Sequence, residues 1–185
     1  YTPVVTSVVA ASMIWMWLYN PQFGLLNFFL SKLGIGPQQW LSSPQQAMPC
    51  LIIMTIWKEL GYAMVIYLAG LQGIPGMLYE AAEMDGAGWW ASLRKVTLPM
   101  LRPVTLFLLV TSVISSFQVF DAIYVMTKGG PVGATTTVVH QIYENGFRFL
   151  KMGRASAMAV VLFVMILAIS LANLRVFRRD LEELY

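Results

Sequence analysis

Tyr79-Glu80-Ala81-Ala82-Glu83-Met84-Asp85-Gly86-Ala87-Gly88, followed by Val96-Thr97-Leu98-Pro99, is the one long polar segment set between two apolar runs of this chain. Its ends are marked. Pro75 fixes φ and lacks an N–H that a first helical turn would not use, so it opens a helix, and Gly86 or Gly88 closes it by taking φ > 0. The spacing predicts a short helix, a glycine corner and a second short segment. Between two membrane spans, a bent knob of this kind has no apolar face large enough to be a domain. It is expected to serve as a contact surface.

Apolar residues make up 58% of the chain and charged residues 11%, against about 25% charged in ordinary globular domains. By length the 185 residues would form one domain, but the apolar material is parcelled into long separate runs, the pattern of a multi-span membrane protein. The net charge of +3 is modest, and the basic residues lie between and after the apolar runs without aromatics interleaved along one face, which excludes a nucleic-acid binder. The lone Cys50 excludes an intramolecular disulfide and a cysteine metal cluster. The chain opens inside an apolar run, with no initiating Met or signal peptide, and is expected to be a fragment lacking its first helices.

Four spans are expected, over residues 1–19, 47–71, 104–126 and 155–174, with 72–103 as the polar loop, all in one transmembrane domain over 1–185. The first run, 4–18, is short for a span of about 20 residues and ends in Trp15, Trp17 and Tyr19, side chains that gather at the membrane interface. From Phe23 to Leu33, the apolar Leu25, Leu26, Phe28, Phe29 and Leu33 predict a short helix along the surface. Gly34, Gly36 and Pro37 end it, and Trp40 reads as another interface anchor.

The second run carries Lys58 and Glu59 near its middle, where a charge costs about 2.5 to 3.5 kcal/mol and must face protein or water. Either they line a translocation path or anchor a neighbouring helix, or they satisfy each other and partner helices. Adjacent residues diverge by about 100° around a helix, so both cannot point into one cavity. Tyr62 lies one turn from both. In the third run Thr111, Ser112, Ser115, Ser116 and Gln118 fall within an arc of roughly 160°, opposite Leu108, Val113, Phe117 and Phe120. Hydroxyls of this kind also glue helices together. So many on one side predict a hydroxyl-rich wall facing an aqueous cavity, and neutral donors and acceptors suit a polyol.

Other constellations carry less. Glu80, Glu83 and Asp85 lack the histidine partners of a carboxylate metal site, since the single histidine, His140, is on another loop. Lys128-Gly129-Gly130-Pro131 is a turn by composition. Gly133 with Thr135, Thr136 and Thr137 is no phosphate loop, because no Gly-Lys-Ser/Thr follows. Val138, Val139, Ile142, Tyr143, Phe147 and Leu150 form an amphipathic stretch. His140 and Glu144, one turn apart, are expected to make a hydrogen-bonded surface pair; no nucleophile accompanies them. The last run is uncharged between Arg154 and Arg175, its Ala168 and Ala172 allow a close helix neighbour, and the tail adds Arg178 and Arg179. Lys and Arg number six on the side of the polar loop and tail and five opposite, which leaves orientation open.

Glu80-Ala81-Ala82, Gly86, Val96 and Leu98-Pro99 together resemble the cytoplasmic signature loop of the permease subunits of ATP-binding-cassette importers, with Val96 where that family more often has Ile. Trp57-Lys58, Leu71-Gln72-Gly73-Ile74-Pro75 and Thr127-Lys128-Gly129-Gly130-Pro131 are similar to the carbohydrate branch, the maltose-type and glycerol-phosphate permeases. The resemblance implies an all-α fold, a polytopic membrane helical bundle of the type I importer permease class, multi-pass in a bacterial or archaeal cytoplasmic membrane with the signature loop inside. It implies a subunit that translocates a sugar or related polyol and works with two ATPase subunits, a second permease subunit and an extracytoplasmic binding protein. ATP is then bound and hydrolysed by partners, with no catalytic residue, metal or cofactor in this chain.

In that family the short helix seats in a cleft of the ATPase. Glu80 and Asp85 would make polar contacts there, Ala81 and Ala82 would permit close approach, and Gly86 would set the corner. The substrate path would include Thr55 and Tyr62 on the second span, and Ser112, Ser115, Ser116 and Gln118 on the third. Where maltose-type permeases have an aromatic and amides this chain has serines, so sugar specificity does not carry over. A competing expectation is a passive channel or scaffold subunit whose loop binds a regulator. An intramembrane enzyme would need paired catalytic groups at one depth, and only Lys58, Glu59 and Asp121 are ionisable within the spans.

Overall fold

A backbone surrounded by hydrocarbon must satisfy its own N–H and C=O groups, so the apolar runs fold as helices. The computed structural model describes residues 1–182, with the side chains of residues 1–173 and of Arg175; those of Arg178 and Arg179 lie outside the described residues. Along the chain come α1 (Thr2–Val5), α2 (Val8–Leu18), α3 (Leu25–Lys32), α4 (Pro44–Gln72), α5 (Gly76–Met84), α6 (Trp89–Ser92), α7 (Leu98–Met100), α8 (Arg102–Phe117), α9 (Asp121–Met126), α10 (Val138–Tyr143) and α11 (Met152–Glu182). A 3₁₀ turn spans Trp40–Ser42, and π-helical turns span Leu93–Thr97 and Glu144–Arg148. No strand occurs among the described residues.

By length and composition α4 and the Met152–Asn173 stretch of α11 can each cross a membrane, and Trp89–Met100 with Arg102–Phe117 makes a third candidate if that pair, bent by 57°, is one span. Two expected spans are interrupted. The first run breaks at Thr6, which is extended at φ −70° and ψ 141°, and the Thr6 hydroxyl turns back to Thr2 O at 3.1 Å. The third run leaves the helix after Phe117, and Phe120 at φ −133° and ψ −55° separates it from α9. Thr137 Oγ1 donates to Val119 O at 3.0 Å and satisfies a carbonyl opened by that second break.

The chain divides into two compact units, residues 1–61 with 115–166, and residues 62–114 with the chain from Leu167 onward. In the first, α2 packs against α9. The core is Tyr19, Cys50, Leu51, Met54, Ala122, Ile123 and Met126, with Trp15, Leu26, Trp40 and Val119 packed on it. Ala11 and Ser12, both 0% exposed, are small enough for a close approach. Tyr19 donates to Cys50 O at 3.1 Å, and its ring lies 5.3 Å from Trp15 and 5.4 Å from Trp40. Trp15, Tyr19 and Trp40, which read as interface anchors, are thus partners in one aromatic cluster.

Within the second unit, the end of α4 meets the start of α8 so closely that a Cβ on Gly70 would lie 2.7 Å from Val104 Cγ2. Only a residue without a side chain fits there. Tyr67 donates to Thr105 Oγ1 at 3.1 Å beside this contact.

Candidate functional site

Helix α5 is closed by a Schellman motif. Gly86 N–H donates to Glu83 O and Ala87 N–H to Ala82 O, each at 2.9 Å, with Gly86 at φ +74°. Of the two glycines that could form the corner it is therefore Gly86, while Gly88 is the N-cap of α6 at φ −71°. A π-helical turn follows, closed by Leu98 N–H to Leu93 O. It brings Thr97 under α5, where Thr97 Oγ1 and Tyr79 Oη are 3.0 Å apart.

No residue of α5 is buried. Tyr79 and Ala82 are half-buried on the side that faces the π turn. Met77, Glu80, Ala81 and Met84, spaced i, i+3, i+4 and i+7, share another face. All four are exposed, Met84 at 89% and Met77 at 71%. Asp85 and Gly86 are exposed at the corner, and Trp89 and Trp90 beyond it, edge to face with centroids 4.6 Å apart, are exposed too. Glu80 therefore sits between apolar side chains that no described residue covers. The five residues expected to contact a partner, Glu80, Ala81, Ala82, Asp85 and Gly86, lie along one helix and its end.

The residues expected along a substrate path are distributed as follows. Thr55 and Tyr62, seven apart, share a face of α4; Thr55 is half-buried with its hydroxyl on Leu51 O at 2.9 Å, and Tyr62 is exposed. Ser112, Ser115 and Ser116 are exposed on α8, and Thr111 donates to Phe107 O at 2.9 Å and Leu108 O at 3.1 Å. Gln118 does not continue that face. It follows the end of α8, in a turn where its N–H meets Ser115 O at 3.0 Å.

Of the two readings of Lys58 and Glu59, the contacts of Lys58 favour anchoring a neighbouring helix, and the expected His140–Glu144 pair is not formed. Lys58 and Glu59 do not satisfy each other: Lys58, 7% exposed, donates to the carbonyls of Pro3 at 3.3 Å, Val4 at 3.4 Å and Thr6 at 2.9 Å, while Glu59 is exposed. His140 and Glu144 do not pair either. His140 is buried at 3% exposure, with its ring over Gly129, where a Cβ would meet His140 Cε1 at 2.8 Å. Glu144 instead accepts from Arg148 at 2.7 Å, the one ion pair among the described residues. The loop that covers His140 is stitched by threonines, Thr127 to Thr135 at 2.7 Å and Thr135 to Gly130 O at 2.7 Å, a network that composition alone did not reveal.

The sequence model for the binding-protein-dependent transport system inner membrane component matches residues 2–179. The chain belongs to that family. It is 38% identical over 180 residues to the trehalose/maltose transport system permease protein MalF of Thermococcus litoralis, covering 96% of this chain and 61% of the relative. It is 38% identical over 168 residues to the sulfoquinovosyl glycerol transport system permease protein SmoG of Agrobacterium fabrum, covering 91% of this chain and 54% of the relative. With the sn-glycerol-3-phosphate transport system permease protein UgpA of Yersinia enterocolitica it shares 35% over 181 residues, 97% of this chain and 61% of that one. The chain thus spans about three fifths of the length of these relatives.

Among solved structures, it superposes on a chain of a bacterial ABC transporter involved in the import of the acidic polysaccharide alginate, with a TM-score of 0.88 at 30% identity. That match covers 97% of this chain and 63% of the other. A bacterial alginate ABC transporter in complex with an alginate pentasaccharide-bound periplasmic protein also matches, with a TM-score of 0.88 at 30% identity. The transport component described here therefore has the all-α fold of an ABC importer permease, as the signature loop implied.

Proposed function

We propose that this chain is the membrane-spanning part of an ATP-driven importer that translocates a sugar or related polyol handed over by an extracytoplasmic binding protein. The observation that carries the reading is α5, a nine-residue helix with no buried residue. Helices shorter than about 12 residues are marginal in water by themselves, and α5 is held by one side-chain bond, a Schellman cap and the fold around it. Its Met77, Glu80, Ala81 and Met84 face fits the cleft of a second protein. We assign that protein as an ATPase, because the chain holds no phosphate loop of its own and its relatives are permeases of transport systems. Two such ATPases and a second permease subunit would complete the assembly in a bacterial or archaeal inner membrane.

Cargo recognition falls to neutral groups. Ser112, Ser115 and Ser116 on α8, Thr55 and Tyr62 on α4, and Gln118 beyond α8 offer donors and acceptors that exchange with sugar hydroxyls without a trapping charge. The importer reading is favoured over a passive channel or scaffold by membership in a binding-protein-dependent family.

The test uses the full-length permease reconstituted with its ATPase and binding-protein partners in vesicles, with radiolabelled trehalose and maltose as probes. Uptake is expected only with ATP. Glu80→Ala and Gly86→Val are expected to insert and assemble but to hydrolyse ATP without uptake. ATP-independent uptake, or normal transport by both variants, would defeat the proposal.

A further inference from the structure

The first apolar run breaks at Thr6-Ser7, residue types that favour a helix start but do not force one inside an apolar run. Residues 4–8 read Val-Val-Thr-Ser-Val, with no glycine and no proline, and Pro3 stands in the first turn of α1, where it is tolerated. Yet Thr6 is extended and α2 starts afresh from Ser7, which makes no side-chain cap bond. The carbonyls that end α1 then lack N–H partners further along a helix, and at membrane depth such groups must find one elsewhere.

They find it on another helix. An ammonium has three N–H groups and no acceptor, and Lys58 Nζ lies within hydrogen-bond distance of three carbonyls, those of Pro3, Val4 and Thr6. Lys58 continues the buried face of α4 that runs through Ala47, Cys50, Leu51 and Met54. One turn on, Gly61 leaves room for α1, since a Cβ there would meet Val4 Cγ2 at 3.0 Å and Tyr1 Cα at 3.2 Å. The adjacent Trp57 meets Trp15 of α2 edge to face at 5.6 Å. The buried charge is thus offset by three main-chain dipoles, and the ammonium has no N–H left for a cargo anion.

We propose that Lys58 is a positioning residue of the transport component: its ammonium holds the first run broken at Thr6, and so sets where α2 begins and how α2 meets α9. The segment just before α9 carries Ser115, Ser116 and Gln118, so the pin on α1 fixes groups assigned to the cargo path through α2. The consequence for uptake rests on the proposed function, whereas the pin itself does not.

The experiment takes the full-length permease assembled with its partners in vesicles, with Cys50→Ser and a reporter Ser12→Cys on α2, a position 0% exposed, and measures the labelling rate by a water-soluble maleimide. Lys58→Met is expected to raise the rate about tenfold, the ratio that loss of one hydrogen bond to a charged group gives. Lys58→Arg, which keeps the donors, is expected to stay near the parent rate, and a Ser31→Cys reporter on α3 is expected not to respond to either change. An unchanged Ser12→Cys rate in Lys58→Met would overturn the pin, as would an Arg variant that labels as fast as the Met variant. If Lys58→Met does not assemble, Lys58→Gln decides, because its amide has only two donors for three carbonyls; faster labelling supports the pin and the parent rate refutes it. Labelling needs no cargo, so a raised rate in Lys58→Met together with a parent whose uptake of trehalose and maltose does not depend on ATP would sink the importer reading and leave the pin standing. Unchanged labelling with uptake intact would do the reverse.

Discussion

Tyr79 and Thr97 are eighteen residues apart in sequence and their hydroxyls are 3.0 Å apart, which ties the first half of α5 to the end of the π turn. Thr97 is buried at 8% exposure, so its hydroxyl depends on this partner more than a surface group would. Tyr79→Phe and Thr97→Val are each expected to cost about 1 kcal/mol, the net worth of one such bond. The double variant is expected to lose much less than the sum of the two, because both remove the same interaction. Thermal unfolding of the purified full-length permease measures this. Strictly additive losses would show that the two hydroxyls act independently.

Gly86 takes φ +74° with nothing within 4 Å of a Cβ built on it. The obstacle to a side chain is therefore backbone strain and not space. Gly86→Ala is expected to cost about 1 to 2 kcal/mol through the left-handed conformation, and Gly86→Asn distinctly less, since asparagine tolerates that region. Opening of the α5 corner, followed by amide hydrogen exchange at Ala87 and Gly88, reports the difference. Equal exchange in the Ala and Asn variants would point to a packing role instead.

Met84, 89% exposed, stands one turn from Glu80 on the uncovered face of α5. If that face seats in an ATPase cleft, Met84→Glu introduces a charge that must be desolvated there. A loss in ATPase affinity of about thirtyfold or more is expected, the range of an interface hot spot, with unfolding of the isolated permease nearly unchanged because the side chain is 89% exposed. Titration of the labelled ATPase against vesicles bearing each variant gives the affinity, and parent-like binding would take Met84 off the interface.

The helices and the corner at Gly86 were legible because both depend on local signals, apolar runs for the former and a glycine at the end of a short polar helix for the latter. The interruptions were not. The break at Thr6 is held by Lys58, fifty-two residues away, and the one before α9 is satisfied by Thr137 through Val119 O; hydropathy carries neither contact. For the same reason Gln118 was counted on a helix face that ends at Phe117. His140 looked like a surface group by its spacing from Glu144, whereas the threonine-stitched loop over Gly129 buries it. Polar side chains that bond to distant backbone were read as faces when they are fasteners.

Asn27 is such a fastener, and it sets a final expectation. Its Nδ2 donates to Pro21 O and Gln38 O, each at 2.9 Å, and its Oδ1 accepts from Gln38 N–H at 3.0 Å and Trp40 Nε1–H at 2.9 Å. The side chain, 8% exposed, uses both amide hydrogens and both carbonyl lone pairs. Through it α3 holds Trp40 at an unfavourable φ of 46°, with the indole 5.4 Å from Tyr19 at the edge of the first unit's core. Asn27→Leu, similar in size, leaves two donors and two acceptors without partners and is expected to destabilise by about 3 kcal/mol or more, since each orphaned group costs about 1 to 3. Asn27→Asp keeps the acceptors but aims a carboxylate at the carbonyls of Pro21 and Gln38, so it is expected to be no better. Gln22→Ala, on the exposed turn nearby, is expected to stay within about 0.5 kcal/mol of the parent. Thermal unfolding of the three variants, followed by circular dichroism, ranks them. An Asn27→Leu protein that unfolds alongside Gln22→Ala would mean that the four bonds do not hold Trp40 in place.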